Sequence, residues 1–462
     1  MTASNPHPSR ATEPCTAHAE ARDHRRQMAR ILTSSALGTA IEYYDFILYA
    51  TAASIVFNKV FFTGLGPGTA LFLSFGTLAA GYVARPLGGV VFGHLGDRLG
   101  RKAMLVVTVS LMGTASVLIG LLPTTERIGA AAPVLLVLLR VVQGIAIGGE
   151  WGGAMLLAFE HAKKNNRGFA ASFAYMGAPA GTVIATLVLS AASALSDEQF
   201  LAWGWRVPFL FSAVLVMVGL FVRLKVSESP VFQELARKPK PARVPAAEVL
   251  TKHTRSLVVS VFAGIAGQAA QGLMGAWAVS YAVQQATIDQ TSVLNVKALA
   301  GLCTIVMILV AARLSDVLGR RKVMLAGTFA AMLLALPITS LLETGRTWAL
   351  FLALFLGLSV VQGFTAGPYG AFAAELFPSH VRYSGTSIGY QLAATLGAGF
   401  TPLLAAGLVI AADGALWAVG VAWTGMSALS AAALLAARHS TDEESPGLDA
   451  TPARAAVSER SW

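Results

Sequence analysis

The chain has 462 residues, 55% of them hydrophobic and 13% charged, with a mean hydropathy of +0.63 and a formal net charge of +10. Soluble domains carry about 25% charged residues, so these values exclude a soluble globular core. The basic excess sits in short loops between apolar runs, which also argues against a nucleic-acid surface.

A polar tail, 1–30, opens the chain with Arg22, Arg25, Arg26 and Arg30 and lacks a signal-peptide cleavage pattern. Apolar runs then follow at 31–57, 70–93, 103–122, 133–158, 169–195, 206–225, 257–282, 295–312, 322–342, 348–374, 384–411 and 414–437. Runs of about 20 apolar residues suit membrane spans, and lipid obliges each span to bond its own backbone, so they predict helices. The alternation of an outer-membrane barrel is absent. The expected fold is an all-α integral membrane protein of twelve transmembrane helices. Residues 226–256, with Pro230, Pro239, Pro241 and Pro245, read as a linker between six-helix halves 31–225 and 257–437. The polar segment 438–462 reads as a disordered tail. Cys15 and Cys303 give no disulfide framework.

Placing the N-terminus inside leaves only Lys59, Arg127, Arg206, Lys297 and Arg346 in outside loops; Arg85 and Arg140 fall within spans. Cytoplasmic loops are enriched in Lys and Arg. Both termini are therefore expected in the cytoplasm, with the chain in the cell membrane.

The two halves repeat. Gly93-His94-Leu95-Gly96-Asp97-Arg98-Leu99-Gly100-Arg101-Lys102 has a partner in Ala312-Arg313-Leu314-Ser315-Asp316-Val317-Leu318-Gly319-Arg320-Arg321, with Asp97 and Asp316 219 positions apart. Val141-Val142-Gln143-Gly144 matches Val360-Val361-Gln362-Gly363 at the same offset, and Glu160 and Arg167 match Glu375 and Arg382. Repeats of equal polarity predict a carrier with its site between the halves. A carboxylate at a helix end can bond the N-terminal amides of another helix or an arginine. Asp97, Arg101, Lys102, Glu160, Arg167, Asp316, Arg320, Glu375 and Arg382 are thus candidate gating residues. Arg101 and Lys102 have the plainer alternative of topology anchors.

A charge inside the bilayer is costly unless it faces a cavity or a partner. Glu42, Asp45 and Tyr49 share one face of the first span at i, i+3 and i+7. Arg85, Arg140 and Glu150 lie in the second and fourth spans. Glu42, Asp45 and Glu150, with Arg140, are candidates for proton coupling, the alternative being a fixed ion pair such as Asp45–Arg85. Arg85 and Arg140 are candidate cations for an anionic solute, because a guanidinium binds a carboxylate bidentately and keeps its proton. Tyr43, Tyr49, Gln143, Trp151, Gln268, Gln271, Tyr369 and Gln391 are candidate pocket residues; packing and interhelical hydrogen bonding is their plainer role. Pro179 predicts a kink in the fifth span.

The loop carrying Gly93, Asp97, Gly100, Arg101 and Lys102, together with Arg140-Val141-Val142-Gln143-Gly144, resembles the signatures of the major facilitator superfamily. Ala312 departs from the glycine of the second copy. Ile41-Glu42-Tyr43-Tyr44-Asp45-Phe46, Ala84-Arg85-Pro86-Leu87-Gly88-Gly89, Gly149-Glu150-Trp151-Gly152-Gly153 and Trp205-Arg206-Val207-Pro208-Phe209 more closely resemble its metabolite:proton symporter family. The resemblance covers about residues 30–437. It implies proton-coupled alternating-access import of shikimate, a dicarboxylate, citrate, or proline and betaine.

An organic acid is the leading expected cargo, an osmolyte the second, and drug/proton antiport the third. Osmolyte carriers often have a coiled-coil tail, whereas residues 438–462 show no heptads. No catalytic, phosphate-binding or metal motif is present, so neither enzymatic activity nor a cofactor is expected. The expected partners are protons, a small polar solute and lipid, for a monomeric carrier.

Overall fold

The computed structural model describes residues 13–192, 195–224, 245–284, 288 and 290–437. The segments 1–12, 225–244 and 438–462 of the expected tails and linker lie outside the described residues. Among the described residues the chain forms twelve long helices. They are α1 (Glu13–Ala52), α2 (Pro67–Leu99), α3 (Arg101–Leu121), α4 (Ala131–His161), α5 (Arg167–Ala192) and α6 (Arg206–Leu224). Then come α7 (Thr254–Ala282), α8 (Gln290–Leu318), α9 (Arg320–Glu343), α10 (Thr347–Glu375), α11 (Arg382–Ala411) and α12 (Trp417–Ala436). Ten are long and apolar enough to cross a membrane; α1 and α2, which carry Glu42, Asp45 and Arg85, are the two outside that set.

Two sequence expectations need correction. Helix α1 begins at Glu13, inside the stretch read as a tail. Residues 17–30 are rich in Ala and Arg, which have good helix propensity, and they extend a helix already nucleated by the buried span. The stretch read as linker contains a short helix, Pro245–Lys252, that packs against α2 and α11 through its buried Ala246 and Val249. Helix α5 runs from Arg167 to Ala192 with Pro179 inside it.

The halves share one packing pattern. In the first, α1 packs on α5 and α6, α4 on α2 and α3, and α3 on α6; the second half repeats each pairing six helices later. Between halves, α2 packs on α11 and α5 on α8, a pair that exchanges under the same relation. The repeat reaches the backbone. Gly100 (φ 108°, ψ 152°) and Gly319 (φ 97°, ψ 142°) turn the chain between α2 and α3 and between α8 and α9. Only glycine occupies that region comfortably.

A Cβ at Gly319 would meet nothing within 4 Å, so replacing it tests the backbone alone. Gly319→Ala and Gly319→Asn are both expected to destabilise the folded protein by about 1–3 kcal/mol, read as a lower thermal midpoint in detergent. An unchanged midpoint for either would remove the role of this turn.

Candidate functional site

One end of the bundle is closed by two carboxylates that cross between the halves. Asp97, in the last turn of α2, accepts hydrogen bonds from the backbone N–H groups of Tyr383 (3.3 Å) and Ser384 (3.0 Å) and from the Ser384 hydroxyl (2.7 Å). These donors open α11. Asp316, in the last turn of α8, accepts from the N–H groups of Gly168 and Phe169 (both 2.9 Å), which open α5. First-turn amides lack intrahelical partners, and the helix dipole favours an anion there. Arg320 donates to Asp316 (2.6 Å) and to Glu375 (3.3 Å). Helix α11 docks closely enough that a Cβ at Gly96 would overlap the Tyr383 ring.

The other candidate gating residues sit around this end. Arg382 donates to the carbonyls of Ala374 (2.9 Å) and Phe377 (3.2 Å). Arg167 and Arg382 both lie over the Phe159 ring, beside buried Glu160. Lys102 donates to the Leu224 carbonyl at the end of α6 (2.9 Å), inside its own half. The Arg101 side chain lies outside the described residues.

Deeper in the first half, acidic and basic side chains alternate. Arg85 donates to Glu42 (3.1 Å) and, across the seam, to the Gln391 carbonyl oxygen (3.0 Å). Gln391 in turn donates to the carbonyls of Ile147 and Gly148. The partner of Arg85 is therefore Glu42, not the Asp45 named as its alternative. Asp45 accepts from the Ser212 hydroxyl instead (2.6 Å). Arg140 donates to Gln143 (3.1 Å), which donates to Ser116 (2.7 Å). The Arg140 guanidinium lies 4.1 Å from the centre of the Tyr49 ring, and Tyr49 donates to Thr77 (2.7 Å). Glu42 Oε2, Asp45 Oδ2 and Arg140 Nε are buried without a partner.

Glu150 bonds a different set of groups. Both of its oxygens are held by Arg223, and Thr108 adds a third bond (2.8 Å). Arg223 also donates to the Leu105 carbonyl (2.6 Å) and is 2% exposed. It stands at the end of an apolar run and reads in sequence as a loop charge. Its one signal is that Leu224 extends the run beyond it.

A cavity of about 120 Å³ lies between the halves, on the side away from Asp97 and Asp316. Tyr43, Phe46, Tyr82 and Tyr175 line it from the first half, and Gln271, Lys297 and Gln362 from the second. Gln271 donates to the Tyr43 hydroxyl (2.9 Å) and accepts from Gln362 (3.3 Å). Tyr43 and Gln271 are thus the two candidate pocket residues on the wall; Arg85, Arg140, Tyr49, Gln143, Trp151, Gln268, Tyr369 and Gln391 are not on it. Trp151 stacks on Tyr390 at 3.7 Å, with Tyr175 and Tyr369 at 5.3 and 6.0 Å. This cluster joins α4, α5, α10 and α11, and Gln268 reaches it by donating to the Tyr175 hydroxyl (3.5 Å). Lys297, assigned from sequence to an outside loop, stands inside α8, which begins at Gln290.

Comparison with known proteins agrees with this architecture. The family model described as Major Facilitator Superfamily matches residues 35–390 and 260–460. The inner membrane metabolite transport protein YhjE of Escherichia coli (strain K12) is 44% identical over 424 residues, covering 90% of this chain and 95% of its own. The shikimate transporter of the same organism is 39% identical (82% of this chain, 87% of its own), and its proline/betaine transporter 31% (83% and 78%). The solved proton:xylose symporter XylE has the same fold, with a TM-score of 0.75 at 16% identity, covering 89% of this chain and 96% of its own. The chain is a multi-pass membrane transporter belonging to the Major Facilitator Superfamily, within its metabolite/proton symporter family.

Proposed function

We propose that the protein imports a small organic acid together with protons, by alternating access. In this reading all twelve helices cross the membrane, both termini are cytoplasmic, and the six-helix halves rock about the seam. The Asp97 and Asp316 end is then the closed cytoplasmic gate, and the cavity faces outward. Shikimate, the cargo named for one relative, represents the expected solute class.

The observation that carries the proposal is the sharing of Arg85 between Glu42 of its own half and Gln391 of the other. A proton arriving on Glu42 cancels the charge that holds Arg85, and Arg85 also bonds the half that must move. The unpartnered oxygens of Glu42 and Asp45 leave room for a proton in the same region. Adding a proton as an anion enters keeps the net charge of the occluded site unchanged, which limits the desolvation cost of closing it. Glu150, held on both oxygens by Arg223, suits a structural pair better than a proton carrier. The second reading, import of an osmolyte such as proline or betaine, draws on the ring faces of Tyr43, Phe46, Tyr82 and Tyr175, which can bind a quaternary ammonium.

Proteoliposomes with an acidic exterior are expected to accumulate labelled shikimate above equilibrium, and a protonophore to abolish the excess. Preferential accumulation of glycine betaine would favour the osmolyte reading, and indifference to the gradient would end the symport reading. Glu42→Gln is expected to lose at least tenfold in gradient-driven uptake while still exchanging labelled for unlabelled solute. Loss of exchange as well would show that Glu42 does more than carry the proton. Asp97→Asn is expected to insert normally and transport roughly tenfold more slowly, about the value of one charge-assisted hydrogen bond; full-rate transport would remove the gate assignment.

A further inference from the structure

The cavity wall holds one formal charge among its described residues, and it is the ammonium of Lys297. Lys297 lies on α8, with Gly301 one turn further along packing against Pro179 of α5. Thr182 and Thr186 of α5 line the same cavity. No described side chain forms an ion pair with this ammonium. The two arginines expected to meet an anion are otherwise engaged: Arg85 by Glu42 and Gln391, Arg140 by Gln143 and the Tyr49 ring. A lone cation at membrane depth persists where water or an anionic ligand reaches it.

We infer that Lys297 is the anchoring cation for the cargo and that the cargo is a hydroxylated monocarboxylate. The inference rests on the organic-acid reading above and narrows it to one charge and one residue. The carboxylate meets Lys297. Hydroxyl groups of the cargo meet Gln271, Gln362 and Tyr43 deeper in the cavity and Thr182 and Thr186 beside the lysine. A dicarboxylate would bring a second anion to a wall whose described residues include no second cation, leaving it desolvated and unpaired. A zwitterion would bring a cation to a wall that has one already and, among its described residues, no carboxylate to balance it.

The test is equilibrium binding to the purified full-length protein in detergent, without any gradient. The probes are labelled shikimate and gluconate, glycine betaine, and the uncharged methyl ester of whichever acid binds more tightly. Lys297→Gln is expected to weaken the acid by roughly 10–100-fold, the range of a charge-assisted contact, and to leave the ester's weaker affinity unchanged. Lys297→Arg is expected to stay within about threefold of the unsubstituted protein, and thermal midpoints confirm folding of each variant. Equal loss for acid and ester would assign Lys297 a structural role and overturn the inference. So would unchanged acid binding in Lys297→Gln, tighter binding of glycine betaine than of either acid, or no binding of either acid to the unsubstituted protein. Acid binding that depends on Lys297, without gradient-driven uptake, would sink proton symport and leave the lysine's assignment standing.

Discussion

An ionised side chain inside a bilayer must be paired or wet, and this one constraint orders the interior. The first half holds Glu42, Asp45, Glu150, Arg85, Arg140 and Arg223, each at most 5% exposed. Where pairs form they span helices: Glu42 on α1 with Arg85 on α2, and Glu150 on α4 with Arg223 on α6. Breaking such a pair by removing one partner leaves an uncompensated buried charge, at a typical cost of about 3–5 kcal/mol. The second half faces the seam mostly with neutral polar groups, among them Gln268, Gln271, Gln362, Tyr369 and Gln391. The two halves share a fold but not a chemistry. Among the described residues the two buried ion pairs deep in the bundle both lie in the first half.

Much of this was legible in the chain because duplication and span length are linear properties. The separation of 219 between Asp97 and Asp316 foretold two related contacts, and the family signatures located them at helix ends. What stayed hidden depended on helix rotation and on where helices begin. Glu42 and Asp45 are three residues apart, about 4.5 Å along the axis, so depth alone gives Arg85 no preference between them. Packing decides: α1 turns Glu42 toward α2 and Asp45 toward Ser212 of α6. Arg223 and Lys297 were missed for the opposite reason. Both stand near the ends of apolar runs, where a basic residue ordinarily reports topology. Helix α8 starts more than a turn before its apolar window, which places Lys297 two turns inside it; Arg223, in the last turn of α6, is buried by its bonds to Glu150 and the Leu105 carbonyl.

Helix α11 ties the Asp97 contact, the gate of the proposed reading, to the buried charge. Ser384, at its first turn, binds Asp97, and Gln391 accepts from Arg85. These residues are seven apart, which places them on one face of the helix about two turns from each other. Ser387 lies between them on that face, close against Gly89 and Gly152 of the first half. One stiff segment therefore carries both the contact that closes the end of the bundle and the contact that holds the arginine. If α11 withdraws as a unit, Asp97 loses its helix N-terminus and Arg85 loses Gln391 in the same movement, leaving Arg85 to Glu42 alone. On the proposed reading, the protonation state of Glu42 then sets how costly that withdrawal is. A change of one charge near mid-bundle can in this way bias an equilibrium whose visible seal lies about 10 Å away along the same helix.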